Sequence, residues 1–162
     1  LATEAVPLLV AVADAPRLET AARLGVGVQL AERGPPAQRA RSCIGQSRVI
    51  AASIHDRAGL ARRVAEGVDL VLLAPFGDVP GKGAPLSDDE VLEITEASVV
   101  PVLALGAIRS QLDVDRALAL GCAGVAVRAF VGNAADGGAA ITTLRGWIDA
   151  SRRERDLARR SR

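Results

Sequence analysis

Short unbroken apolar runs alternate along this chain with segments in which apolar residues recur every three or four positions. The runs are Pro7–Val12, Val26–Leu30, Arg48–Ser53, Asp69–Leu73, Val100–Leu105 and Ala123–Val127. They are built from Val, Leu, Ile and Ala without polar alternation, as parallel strands covered on both faces should be. The amphipathic stretches predict helices at Pro16–Leu24, Pro35–Ser42, Asp56–Glu66, Ser87–Ala97, Ser110–Leu120 and Gly138–Ala158. Asp56 and Ser87 suit helix N-caps, and Glu90, three residues after Ser87, completes a capping box. Gly25, Gly67 and Gly121 stand where helices should end before the next strand. The pattern reads as six successive β/α units in one domain over residues 1–162, with a basic helical tail at 151–162.

Most of the predicted strand-to-helix connections are short. The exception is Ala74–Leu86, long, rich in Gly and Pro, and carrying one lysine, Lys82. Long loops in compact domains usually have a task. Glycine-rich exits also follow the last two strands, at Gly106-Ala107 and Arg128-Ala129. Repeated exits of this kind build phosphate sites at strand C-termini, where backbone amides supply the donors. Lys82 suits the counter-charge of a phosphate or diphosphate; a solvated loop lysine is the plainer reading.

Composition narrows the partners. Hydrophobic residues make up 49% of the 162 but aromatics only 2%, so the core must be packed from small aliphatic side chains. A net charge of +1 gives no reason to expect nucleic acid, and the arginine-rich end SRRERDLARRSR reads as a solvated helix terminus. Cys43 and Cys122 are isolated, which indicates neither a disulfide framework nor a zinc site. No run has membrane-spanning length and no segment resembles a secretory signal, so no membrane partner and a cytoplasmic location are expected. The chain begins with Leu1 and contains no methionine, as expected of a processed or replaced start or of part of a longer product.

The junctions resemble the thiamine phosphate synthase family, which includes the related thiazole tautomerases. GVQLAE at Gly27–Glu32 is similar to the family's G-V-H-L-G-Q, and AASIH at Ala51–His55 to its G-V-S-x-H. GVDLVLLAPFGDVPGK at Gly67–Lys82 matches G-A-D-Y-x-x-x-G-P-x-F-P-T-x-T-K. PVLALGAI matches P-V-x-A-I-G-G-I, and CAGVAVRAFV matches A-D-G-V-A-V-x-S-A-I. Order and spacing agree from about Pro7 to Val131. The resemblance implies a TIM-type (β/α) barrel with six of eight units in this chain. It also implies an enzyme that couples hydroxymethylpyrimidine diphosphate to thiazole phosphate and releases diphosphate with the help of Mg²⁺. Lys82 falls on the family's loop lysine, and Ser53 on the strand-end serine near the pyrimidine. Gly106, Ala107, Arg128 and Ala129 fall on its phosphate-binding exits. Ser53 as a satisfied strand-end polar group and Arg128 as a surface arginine are the competing readings.

Departures from the family fall on chemistry. Its first two β/α units have no counterpart here. Its Asn-Asp metal pair aligns with Asp14-Ala15 and its second metal aspartate with Gly34, leaving Asp14 or Glu32 to serve Mg²⁺ from a neighbouring position. The two loop threonines are Val79 and Gly81, the serine after the last strand is Ala129, and the tautomerase histidine is Pro75. His55, the single histidine, has a pKa suited to a general base, but its place beside a helix start favours a structural role. Trp147 is expected to anchor the last helix to the barrel wall. These departures leave a second expectation open: a catalytically degenerate member that binds a phosphate or thiazole-type ligand or acts as a partner subunit. Two unpaired sheet edges would be aggregation hazards. Upstream sequence, a homo-oligomer or barrel-completing partner, or covered edges are therefore expected.

Overall fold

The computed structural model describes residues 8–160. Six strands, β1 (Leu9–Val12), β2 (Gly27–Leu30), β3 (Ile50–Ile54), β4 (Leu70–Leu73), β5 (Val102–Leu105) and β6 (Gly124–Ala126), follow one another in sheet order. Helices alternate with them: α1 (Ala15–Leu24), α2 (Ala37–Ile44), α3 (Arg57–Ala65), α4 (Asp88–Ala97), α5 (Gln111–Ala119), α6 (Ala129–Gly132) and α7 (Gly137–Arg160). Each crossover moves to the next strand in the same direction, as in a TIM-like α/β fold, with no reversal of the doubly wound kind. The predicted Pro7 start of the first strand lies outside the described residues. The short α6 was not expected. Four residues leave no helical period to read in the sequence.

The elements form two compact units, one reaching to Leu72 with Ser98–Pro101, the other comprising Leu73–Ala97 and the chain from Val102. In the first, β1 pairs with β2 (Leu9 opposite Gly27) and β2 with β3 (Val28 opposite Ile50), all parallel. Val28, Leu30, Ile50, Ala51 and Ala52 have no exposed surface, which is why the sequence shows unbroken apolar runs here. A Cβ on Gly27 would meet Leu9 Cδ2 and lie 2.6 Å from the Val49 carbonyl, backbone that cannot give way, so only glycine lets these strands approach. Asp69 closes the edge below β3, accepting from the Ile50 amide at 2.7 Å and from Arg41 at 2.8 Å.

In the second unit β5 pairs with β6 in parallel, Leu103 opposite Gly124. The Ser87–Glu90 capping box forms: the Ser87 amide donates to Glu90 at 2.8 Å, and Ser87 Oγ accepts from the Glu90 amide at 3.3 Å. The backbone bond from Ser87, then its hydroxyl, hold the Glu90 carboxyl below the usual range. Asp56 caps α3 as expected, accepting from the Gly59 amide at 2.6 Å. Trp147 packs against Phe130 of α6, ring centroids 5.3 Å apart. The Ser151 hydroxyl meets Asp115 and so joins α7 to α5. Among the described residues no helix is long and apolar enough to cross a membrane.

Candidate functional site

The loop Ala74–Leu86, which follows β4, belongs to the second unit and folds back on the exit of β5. The Phe76 amide donates to the Leu105 carbonyl at 3.0 Å and the Gly77 amide to the Gly106 carbonyl at 3.2 Å. The loop's neck is closed by the Leu86 amide donating to the Pro75 carbonyl at 3.0 Å. Between these ties the chain makes a tip in which Lys82 stands between Gly81 (φ 76) and Gly83 (φ 80). Both glycines occupy the left-handed region that side-chain-bearing residues avoid. Lys82 is exposed, and its ammonium makes no hydrogen bond or ion pair among the described residues; its amide donates to the Val79 carbonyl at 3.0 Å. The tip thus holds a free cation on a pinned base.

Gly106 and Ala107 lie directly against that base. A Cβ on Gly77 would come within 2.9 Å of Ala107 Cβ, and one on Gly106 within 3.2 Å of Val79 Cγ2. Gly106 has φ 116, and Ala107, at φ 55, is the only residue besides glycine with positive φ among those described. An alanine held left-handed costs on the order of 1 kcal/mol. The strained turn is fixed by the loop seated on it, and backbone of this kind can suit an anion. Arg128 and Ala129 follow β6: Arg128 occupies the N-cap of α6, is exposed, and its guanidinium has no partner among the described residues.

Arg116, on α5, is the residue that sequence reading missed. Its guanidinium donates to the Phe76 carbonyl at 3.1 Å and to Asp88 at 2.7 Å, reaches the Leu86 carbonyl at 3.5 Å, and covers the Phe76 ring at 4.4 Å. One side chain therefore ties both ends of the loop and the start of α4. The signal was indirect. A loop rich in Pro and Gly has carbonyls that no local helix or strand can satisfy, so some distant donor has to reach them.

In the first unit, Ser53 sits near the C-terminal end of β3 and accepts from Gln29 Nε2 on β2 at 2.8 Å. That pairing shows a satisfied strand-end polar group whose hydroxyl hydrogen remains available to a ligand. His55 Nε2 lies 3.4 Å from Glu32. Asp14 is the N-cap of α1: Oδ1 accepts from the Arg17 amide at 3.0 Å while Oδ2 lies 3.8 Å from Arg17 Nε.

The loop after β2 explains why Gly34 carries no carboxylate. A Cβ there would lie 2.9 Å from the Val12 carbonyl and 3.0 Å from that of Ala31. Arg63, 1% exposed, fixes this loop from α3 by donating to the carbonyls of Ala31 (2.6 Å), Glu32 (2.9 Å) and Pro35 (3.1 Å) and to Glu66 (2.8 Å). Among the described residues no three His, Cys, Asp or Glu side chains cluster as metal ligands. Mg²⁺ needs near-octahedral oxygen donors. Among the described residues, one Asp14 oxygen is engaged at a helix cap and position 34 leaves little room for a side chain.

A model of the family described as thiamine monophosphate synthase matches residues 2–131. A Geobacter sulfurreducens protein called "Putative thiamine-phosphate synthase" is 40% identical over 104 residues, 62% of this chain and 48% of that protein. The thiamine-phosphate synthase of Haloquadratum walsbyi is 30% identical over 147 residues, 87% of this chain and 66% of that one. The chain thus spans about half the length of the first relative and 66% of the second. Thiamine phosphate pyrophosphorylase from Pyrococcus furiosus shares the fold, with a TM-score of 0.77 at 23% identity, over 90% of this chain and 69% of that one. With most of its length matched in register, the chain belongs to the thiamine monophosphate synthase family.

Proposed function

We propose that this chain serves the thiamine phosphate synthase reaction, the joining of a hydroxymethylpyrimidine diphosphate to a thiazole phosphate with release of diphosphate. Its share of the work is to hold phosphate groups. The observation that carries the reading is Lys82: a cation unpaired among the described residues, on a loop whose base is fixed to the Gly106-Ala107 turn. A cation preorganised by its scaffold stabilises charge on a leaving or bound phosphate without reorganising during the reaction. Arg128, with the Ala129 amide, is assigned to a phosphate of the same substrates, and the Ser53 hydroxyl to the pyrimidine.

A second reading is a family member that binds a thiazole-type phosphate without turnover. It is favoured by position 34, where the family's carboxylate has little room, and by Asp14, one of whose oxygens caps α1. Growth of a thiamine-auxotrophic cell lacking its own synthase separates the two. Rescue by the gene supports the first reading; failure of the full-length gene product to rescue overturns it. Mg²⁺-dependent binding of the pyrimidine diphosphate, measured by calorimetry, argues against the second.

A further inference from the structure

We propose a second anion site, at the opposite end of β6 from the phosphate-binding exit, which takes a small ligand with two or more linked phosphates. A recess of about 350 Å³ opens where the α5–β6 turn, Gly121 to Ala123, meets one face of α7. Three arginines of that face line it, Arg152, Arg155 and Arg159. Arg152 is partly engaged, donating to the Ala123 carbonyl at 3.0 Å. Arg155 is different. It is half-buried against the turn, yet its guanidinium has no hydrogen bond or ion pair among the described residues. Arg159, more exposed, is also unpaired.

Arginines in amphipathic helices usually reach a carboxylate or bulk water. Here the single carboxylate in the recess, Asp156, forms no ion pair with any of the three. A partly desolvated guanidinium without a counter-charge is costly, and an entering anion relieves that cost. The spacing selects the anion. Arg155 and Arg159 stand one turn apart, about 6 Å along the axis, with Arg152 on the preceding turn. Guanidinium forks at that interval grip neighbouring phosphates of one chain more readily than a lone phosphate. The volume suits a small molecule, at the low end of ligand pockets. The site lies before β6, away from Lys82 and the Gly106-Ala107 turn, so it does not depend on the activity proposed above.

The test is an amide-resolved NMR titration of the whole chain with inorganic triphosphate and, separately, orthophosphate at matched ionic strength. Triphosphate is expected to shift Gly121, Cys122 and Ala123 saturably and to bind more tightly than orthophosphate. Arg155→Gln is expected to weaken that binding about tenfold, the loss of one charge-assisted contact. Lys82→Ala should leave these shifts unchanged. Should Arg155→Gln fail to fold, Arg159→Gln, at an exposed position, reads the same effect. Shifts confined to Lys82, Gly106 and Ala107, equal affinity for both anions, or undiminished binding by the folded variant would overturn the site.

Discussion

The guanidinium of Arg116 lies over the ring of Phe76 at 4.4 Å and also donates to that residue's carbonyl at 3.1 Å. Phe76, 1% exposed, is the buried foot of the Lys82 loop, so the two contacts hold the foot from both its side chain and its backbone. Replacing Arg116 by Ala removes the cation–π contact, two carbonyl partners and the bond to Asp88. The expected loss is about 2 kcal/mol, or roughly 4–8 °C in Tm for a chain of this size. Lysine should not restore it, because a point charge cannot span the same partners. Trypsin cleavage after Lys82 should accelerate in Arg116→Ala, which a general loss of helix stability alone would not confine to that bond. An unchanged cleavage pattern contradicts the clamp.

Restoring the family's carboxylate with Gly34→Asp is expected to harm the protein. The new Cβ would meet the Val12 and Ala31 carbonyls at 2.9 and 3.0 Å, and backbone oxygens cannot give way as a flexible side chain can. A destabilisation of about 2 kcal/mol or more, measured by urea unfolding, is expected, with no gain in Mg²⁺ affinity by calorimetry. A stable variant that gains the ion would refute the account of this loop.

Ser53→Ala leaves Gln29 Nε2 without its 2.8 Å partner in a partly buried position. A cost of about 1 kcal/mol follows. The double substitution with Gln29→Leu should cost less than the sum of the single changes, since an apolar pair leaves no orphaned donor. Additive effects in that cycle would show that the two side chains do not interact.

The two cysteines should differ in reactivity and in their effect on stability. Cys43 is exposed, while burial pushes the Cys122 thiol up to about 11, with Arg116 opposing it. A thiol reagent at pH 8 should modify Cys43 first and Cys122 only on unfolding. Above pH 9 the unfolded chain releases the Cys122 proton while the folded chain retains it. This group's contribution to stability is therefore whole below pH 9 and declines as pH rises from 9 towards 11. Cys122→Ala should flatten that decline in urea midpoints measured across the window; an unaltered slope contradicts it.

Much of the fold was legible because its causes are local. Unbroken Val and Ala runs mark all six strands within a few residues, most completely in β2 and β3, where nearly every residue is buried. Asp56, Ser87, Gly25, Gly67 and Gly121 marked helix ends through caps and left-handed glycines that need no tertiary partner. What stayed hidden depends on residues distant in sequence. Arg116 reaches 40 positions back to Phe76 and Arg63 reaches 32 back to Ala31, and in sequence each reads as a solvated helix arginine. Trp147 meets Phe130 on α6, a helix of four residues that no periodicity reveals. Gly34 read as a missing ligand; only the nearby Val12 carbonyl shows that the position is closed.

In the proposed function Lys82, on its clamped loop, holds the phosphate of a thiazole-type substrate. Calorimetric titration of the chain and of Lys82→Ala with thiazole phosphate tests it most directly. Lys82 is exposed and its ammonium is unpaired among the described residues, so the variant should unfold at the same temperature as the parent. Saturable binding by the parent is expected, weakened about tenfold or more in Lys82→Ala. Equal affinity of the two proteins, or no saturable binding by either, would contradict it.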